Sequence, residues 1–181
     1  MTCRRSPATR RQAPSALNAG RFARLFWDGR ASGPLVDPVS GQLLIAGNAA
    51  LENQALGPPT SDAEMAHEGR DWSEVLARLE AAQPLAFASE VPSRLESWIA
   101  DRDYPALFAE AFGDDELTAG RVAMAIATYE RTLISDQTPD DDFRNGTPTA
   151  LTPLEAQGRQ LFYGPVGCGT CHSGVFYSDD A

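Results

Sequence analysis

The sequence predicts an all-α fold with long loops, on three observations. Apolar residues recur at helical spacing from about residue 71 to 134. A helix-start signature, Thr152 followed by Pro153 and Glu155, opens a further helix near the end of the chain. No segment shows a strong alternation of apolar and polar residues, and no internal repeat is visible. With 181 residues, 43% of them hydrophobic, the chain can build one ordinary domain, or one domain and part of another.

Taken in order, residues 1–62 read as irregular, because Pro, Gly, Asn and Ser recur without a sustained apolar period. Within them "QLLIAG" is a short apolar run between turn-rich flanks, a small hairpin or an extended loop. A loop this long in a compact domain is usually functional or anchored on a ligand. "DWSEVLARLEAAQP" then places Trp72, Val75, Leu76 and Leu79 on one helical face and stops at Pro84. "PSRLESWIADRDYPALFAEAFGD" reads as two short helices around Tyr104 and Pro105. The clearest helix, "LTAGRVAMAIATYERTLIS", is expected to bury Val122, Ile126, Tyr129 and Leu133. "DQTPDDDFRNGTPTA" reads as an acidic linker, after which Thr152, Pro153 and Glu155 start the last helix. The helices from Trp72 to Ile134 are expected to be better ordered than the first 60 residues.

The net charge of −10 disfavours nucleic acid as a partner and favours a basic one through electrostatic steering. No apolar run approaches the roughly 20 residues of a membrane-spanning helix. The opening is basic, with Arg4, Arg5, Arg10 and Arg11, but lacks the apolar stretch of a secretory signal. Of three cysteines, Cys3 has no second Cys or His at metal-site spacing and reads as an incidental thiol. The two histidines, His67 and His172, are too few for a His-rich metal cluster. His67 reads as a surface or loop residue.

The chemistry concentrates in "GCGTCHSG". Cys168, Cys171 and His172 have the spacing C-x-x-C-H of covalent c-type haem attachment. Two thiols on one turn can reach both porphyrin vinyl groups, and the next residue rises toward the iron as proximal ligand. The competing readings are a redox CxxC pair or half of a zinc site. The first lacks a βαβ context and the second lacks another pair of ligands. No Met or His follows His172, so the distal side of this haem is left open.

Five stretches, in order, resemble the bacterial dihaem cytochrome c peroxidase family, which includes the MauG proteins. They are "RRQAPSALN", "LFWDGRAS", "LENQALGPPTSDAEM", "RVAMAIATYERTLISDQTPDDDF" and "ALTPLEAQGRQLFYGPVGCGTCHSG". The resemblance implies two cytochrome c-like helical domains, each with its own covalent haem c. Residues 1–147 would be the peroxidatic domain, truncated at its start, and residues 148–181 the beginning of the electron-accepting domain. It implies that Glu64 is the acid–base carboxylate of the peroxide site and Gln54 the amide that orients peroxide. A carboxylate there makes chemical sense, since O–O cleavage needs a proton moved from one oxygen to the other. It further implies that Trp27 lies between the two haems, as a stepping stone for electrons or a packing element. Without it, Phe22, Phe26 and Trp27 would read as core. Asp28 and Arg30 read as a hydrogen-bonded corner or as partners of a haem propionate.

The activity implied is reduction of hydrogen peroxide to water with electrons from a small c-type cytochrome or copper protein, in the periplasm. Two alternatives stand beside it: a non-enzymatic c-type haem electron-transfer module, and MauG-like oxidation of a protein substrate. A homodimer is compatible with all three. The first C-x-x-C-H of the family, expected before "RRQAPSALN", is not in this sequence, and neither is an export signal. The chain is therefore expected to be a fragment whose true start, with the second haem site, lies upstream. Gln12 stands where many members carry an asparagine that helps bind calcium between the domains, which puts calcium in doubt. An insertion at about 32–50 separates "FWDGR" from "LENQALGP".

Overall fold

The computed structural model describes residues 13–178, and Cys3, Gln12 and the four early arginines lie outside them. The described chain is mainly helical, with seven α-helices and two short antiparallel strand pairs. β1 (Arg24–Leu25) pairs with β2 (Ala31–Ser32), and β3 (Leu35–Val36) pairs with β4 (Leu43–Ile45). Four helices fall where periodicity predicts them: α2 (Trp72–Glu80), α3 (Ser93–Ile99), α4 (Tyr104–Phe112) and α5 (Ala119–Glu130). Asp71, Asp103 and Thr118 cap α2, α4 and α5 by accepting a backbone N–H in the first turn. Among the described residues no helix is long and apolar enough to cross a membrane.

Among the described residues of 1–62, the expectation of irregular chain fails at 50–56. Ala50–Leu56 forms a helix, α1, whose Ala50, Leu51, Glu52 and Ala55 are buried. Its main packing partner is α5. The face expected for α5 is also wrong. Ile126 and Tyr129 are exposed, Val122 and Leu133 are only partly buried, and the buried stripe is Ala119, Gly120, Ala123 and Ala127. Small side chains let two helix backbones approach closely, so here alanine marks the interior better than the large apolar residues do. Glu52 is 2% exposed and carries a two-pronged ion pair with Arg131 just beyond α5, at 2.7 Å to Oε1 and 3.0 Å to Oε2.

"QLLIAG" contributes β4 to a hairpin that clamps α5. Between its strands, buried Asp37 accepts from the N–H groups of Val39 (3.0 Å) and Ser40 (2.9 Å) through Oδ1. Its Oδ2 accepts from Gly120 N–H in the first turn of α5, at 2.8 Å. Burial opposes ionisation, but these N–H donors outweigh it and hold the Asp37 carboxyl below its ordinary pKa. Gly120 lets the hairpin approach closely, since a Cβ there would lie 2.2 Å from Leu44 Cδ1 and displace that side chain. The insertion is thus a structural bracket rather than a loose loop.

The stretch read as a linker also holds a helix, α6 (Pro139–Arg144). Thr138 and Asp141 form a full capping box around it, with Pro139 in the first turn. The last helix, α7 (Pro153–Tyr163), has the predicted Thr152–Glu155 capping box, with Thr152 N–H to Glu155 Oε2 at 2.8 Å.

Candidate functional site

α7 delivers the chain to the C-x-x-C-H turn. Gly164 ends the helix, and Gly167, at φ 75°, reverses the backbone into a short 3-10 turn over Cys168–Thr170. The Cys168 carbonyl accepts the N–H of Cys171 (3.3 Å) and of His172 (3.0 Å), which closes all three residues onto one turn. Gly169 is required because a Cβ would sit 2.6 Å from the ring of Tyr163. Both thiols are free of disulfide. His172 Nδ1 donates to the Tyr177 carbonyl at 3.1 Å, which leaves the Nε2 lone pair for a metal.

A second set of contacts holds this turn against α6. The Tyr177 hydroxyl donates to Asp140 Oδ2, and Arg159 Nε donates to Asp140 Oδ1 at 2.7 Å. Burial first, then the Asp140 carboxylate, raises the Tyr177 phenol far above its usual pKa. The Phe162 ring lies 6.3 Å from the His172 ring and 5.8 Å from that of Tyr177.

Gln54 and Glu64 meet at a different place. Gln54 is on α1, and Glu64 follows the 3-10 turn Pro58–Thr60, in a bend closed by Glu64 N–H to the Ser61 carbonyl at 3.0 Å. Both line one cavity of about 350 Å³, together with Leu25, Leu51, Met65 and Glu130. Glu64 also borders a wider cleft of about 840 Å³ that contains Trp27. Trp27 is 94% exposed, which rules out the reading of its indole as core. Asp28 and Arg30 form a hydrogen-bonded corner in which Arg30 Nη1 donates to both Asp28 oxygens, at 2.9 and 3.0 Å, and the Arg30 guanidinium lies 3.7 Å from the Phe26 ring centroid. Cys168, Cys171 and His172 line neither cavity, so the residues singled out in the sequence lie in two separate places. His67 is an exposed loop residue, bonded through Nε2 to Glu74 at 2.9 Å and through Nδ1 to the Glu68 carbonyl at 3.0 Å.

The sequence pattern of the di-haem cytochrome c peroxidase family matches residues 3–149. The chain belongs to that family. Among its relatives is the methylamine utilization protein MauG of Methylophilus methylotrophus, 29% identical over 97% of this chain and 42% of that protein. Cytochrome c peroxidase Ccp of Escherichia coli K12 is 30% identical over 90% of this chain and 26% of its own length. Cytochrome c551 peroxidase of Nitrosomonas europaea is 30% identical over 90% of this chain and 36% of its own. The chain thus spans less than half the length of each of these relatives.

The C-x-x-C-H turn fits covalent haem on its own geometry: two unpaired thiols on one turn, and a histidine whose Nδ1–H is already committed to a carbonyl. Sequence reasoning missed Glu130. It ends the small-residue stripe Ala119, Ala123, Ala127, and its Oε2 is buried without a hydrogen-bond partner among the described residues. Burial raises its pKa. An acid with a raised folded-state pKa holds its proton longer in the native state than in the unfolded one. Stability therefore falls as pH rises through the ordinary glutamate range to the raised value. Glu130→Gln is expected to flatten that fall in denaturation midpoints measured across a pH series, and an unchanged slope would contradict it.

Proposed function

We propose that the protein carrying this chain reduces hydrogen peroxide to water in the periplasm, with electrons from a small c-type cytochrome or copper protein. The observation that carries this reading is the shared cavity of Gln54 and Glu64 in a chain of the di-haem peroxidase family. The balance is one peroxide, two electrons and two protons to two waters. Haem, when bound, supplies the iron that stores electrons singly and coordinates peroxide. The Glu64 carboxylate takes the proton from one peroxide oxygen and returns it to the other as the O–O bond breaks, so that a neutral water leaves. The Gln54 amide donates a hydrogen bond that fixes the peroxide in line for this transfer. Cys168 and Cys171 would carry the electron-accepting haem and His172 would ligate its iron, with residues 1–147 forming the peroxidatic domain and 148–181 the start of the second.

The test is covalent haem content by pyridine haemochrome, with the full reading frame exported alongside the haem-attachment machinery. This is combined with peroxide-dependent oxidation of a reduced small cytochrome. Two haems per chain, one of them lost in Cys168→Ala/Cys171→Ala, and peroxide turnover are expected. One haem and no turnover would make the protein an electron-transfer module. Peroxide-dependent oxidation of a protein substrate, without cytochrome oxidation, would move the reading to a MauG-like activity.

A further inference from the structure

The carbonyl that receives the His172 Nδ1–H belongs to a residue with an unfavourable backbone. Tyr177 has φ 53°, a left-handed conformation that side-chain-bearing residues rarely adopt. Its hydroxyl is tied to Asp140 in α6, some 37 residues earlier, and its ring packs 5.8 Å from Phe162 and 6.2 Å from Tyr163. Asp140 is in turn fixed by Arg159 Nε at 2.7 Å. The guanidinium of Arg159 lies 5.2 Å from the Phe143 ring and 4.9 Å from that of Tyr163. Every link from α6 to the imidazole is a direct contact, and the peptide that carries the Tyr177 carbonyl is held twice: from within the loop, by Ser178 N–H donating to the Ser173 carbonyl at 2.9 Å, and from α6, through the Tyr177 side chain on Asp140.

We propose that Asp140 and Tyr177 form a latch that aims His172 and sets its strength as an iron ligand. This inference rests on the reading of Cys168, Cys171 and His172 as a covalent haem site. Both are positioning residues, since they act on the iron only through His172. A firmly bonded Nδ1–H makes the imidazole a stronger donor at Nε2, which favours the ferric state and lowers the potential. Loosening the latch should weaken that bond and raise the potential.

The experiment compares Tyr177→Phe and Asp140→Asn in the full haem-loaded protein. The haem under study is the one lost in Cys168→Ala/Cys171→Ala. Tyr177→Phe removes the hydroxyl without changing charge. Asp142→Asn, on the same helix, removes an equal charge outside the latch. The expected result is retained covalent haem, faster solvent exchange of the His172 Nδ1 proton by NMR, and a tenfold shift toward the ferrous state. For one electron that shift is about 59 mV. Asp142→Asn should leave both readouts unchanged. Haem-loaded Tyr177→Phe and Asp140→Asn proteins with unaltered potential and exchange would overturn the latch. So would an Asp142→Asn shift as large as that of Asp140→Asn, since the effect would then be one of charge alone. Absence of covalent haem from the unmutated protein would instead defeat the haem reading on which the latch stands.

Discussion

Glu64→Gln is expected to lower peroxide turnover by about 10²–10⁴-fold, the usual worth of a positioned acid–base group. Gln is nearly the same size and keeps an oxygen in the same place, but it cannot take up and return a proton. Glu64 borders both the cavity shared with Gln54 and the cleft that holds Trp27, so its removal would touch the chemistry from either side. Its backbone is held by the Ser61 carbonyl and its side chain carries no burden in the core, so folding and haem content should be unchanged. The check is kcat for peroxide at saturating reduced cytochrome, alongside haem per chain. A kcat within a few-fold of the parent would remove Glu64 from the proposed mechanism.

Arg131→Met is expected to destabilise the protein by about 3–5 kcal/mol, the range for breaking a buried pair and stranding the remaining charge. The asymmetry of the pair makes the expectation sharp. Glu52 is 2% exposed, whereas 41% of the Arg131 side chain is exposed, so each partner loses something different when the other is removed. Without Arg131, the Glu52 carboxylate is left inside the α1–α5 interface. Without Glu52, the guanidinium rehydrates, and Glu52→Gln should cost only about 1–2 kcal/mol. Methionine keeps the apolar stem that packs on Gly20, where a Cβ would lie 2.8 Å from Arg131 Cγ. Denaturant midpoints at constant m-value measure both losses. Equal costs for the two variants would contradict the argument.

The parts of this molecule that could be read from sequence are those whose signal is local. Thr152, Pro153 and Glu155 specify a helix start by themselves, and Cys168, Cys171 and His172 fall on one turn because they are adjacent in sequence. Thr138, Pro139 and Asp141 carry the same kind of local signal, but the surrounding Pro, Gly and acidic residues masked it. α1 was not legible. It is seven residues long, no side chain caps it, and its packing against α5 depends on residues about 70 positions away. On α5 bulk is no sign of burial, because close helix contact selects alanine and glycine for the buried face. The two strand pairs are only two or three residues per strand, too short for any alternation to register. Glu130 faces the Gln54–Glu64 cavity only through tertiary packing, which no local pattern encodes.

The bond from Tyr177 to Asp140 has a consequence for how this protein can be taken apart. The proposed division between residues 147 and 148 follows the chain, yet the Asp140 carboxylate lies upstream of it and the Tyr177 phenol it holds, beside the C-x-x-C-H turn, lies downstream. A chimaera joined at that division would pair the C-x-x-C-H loop with a foreign residue at the Asp140 position. The exchangeable unit therefore begins no later than Thr138, where the capping box starts α6.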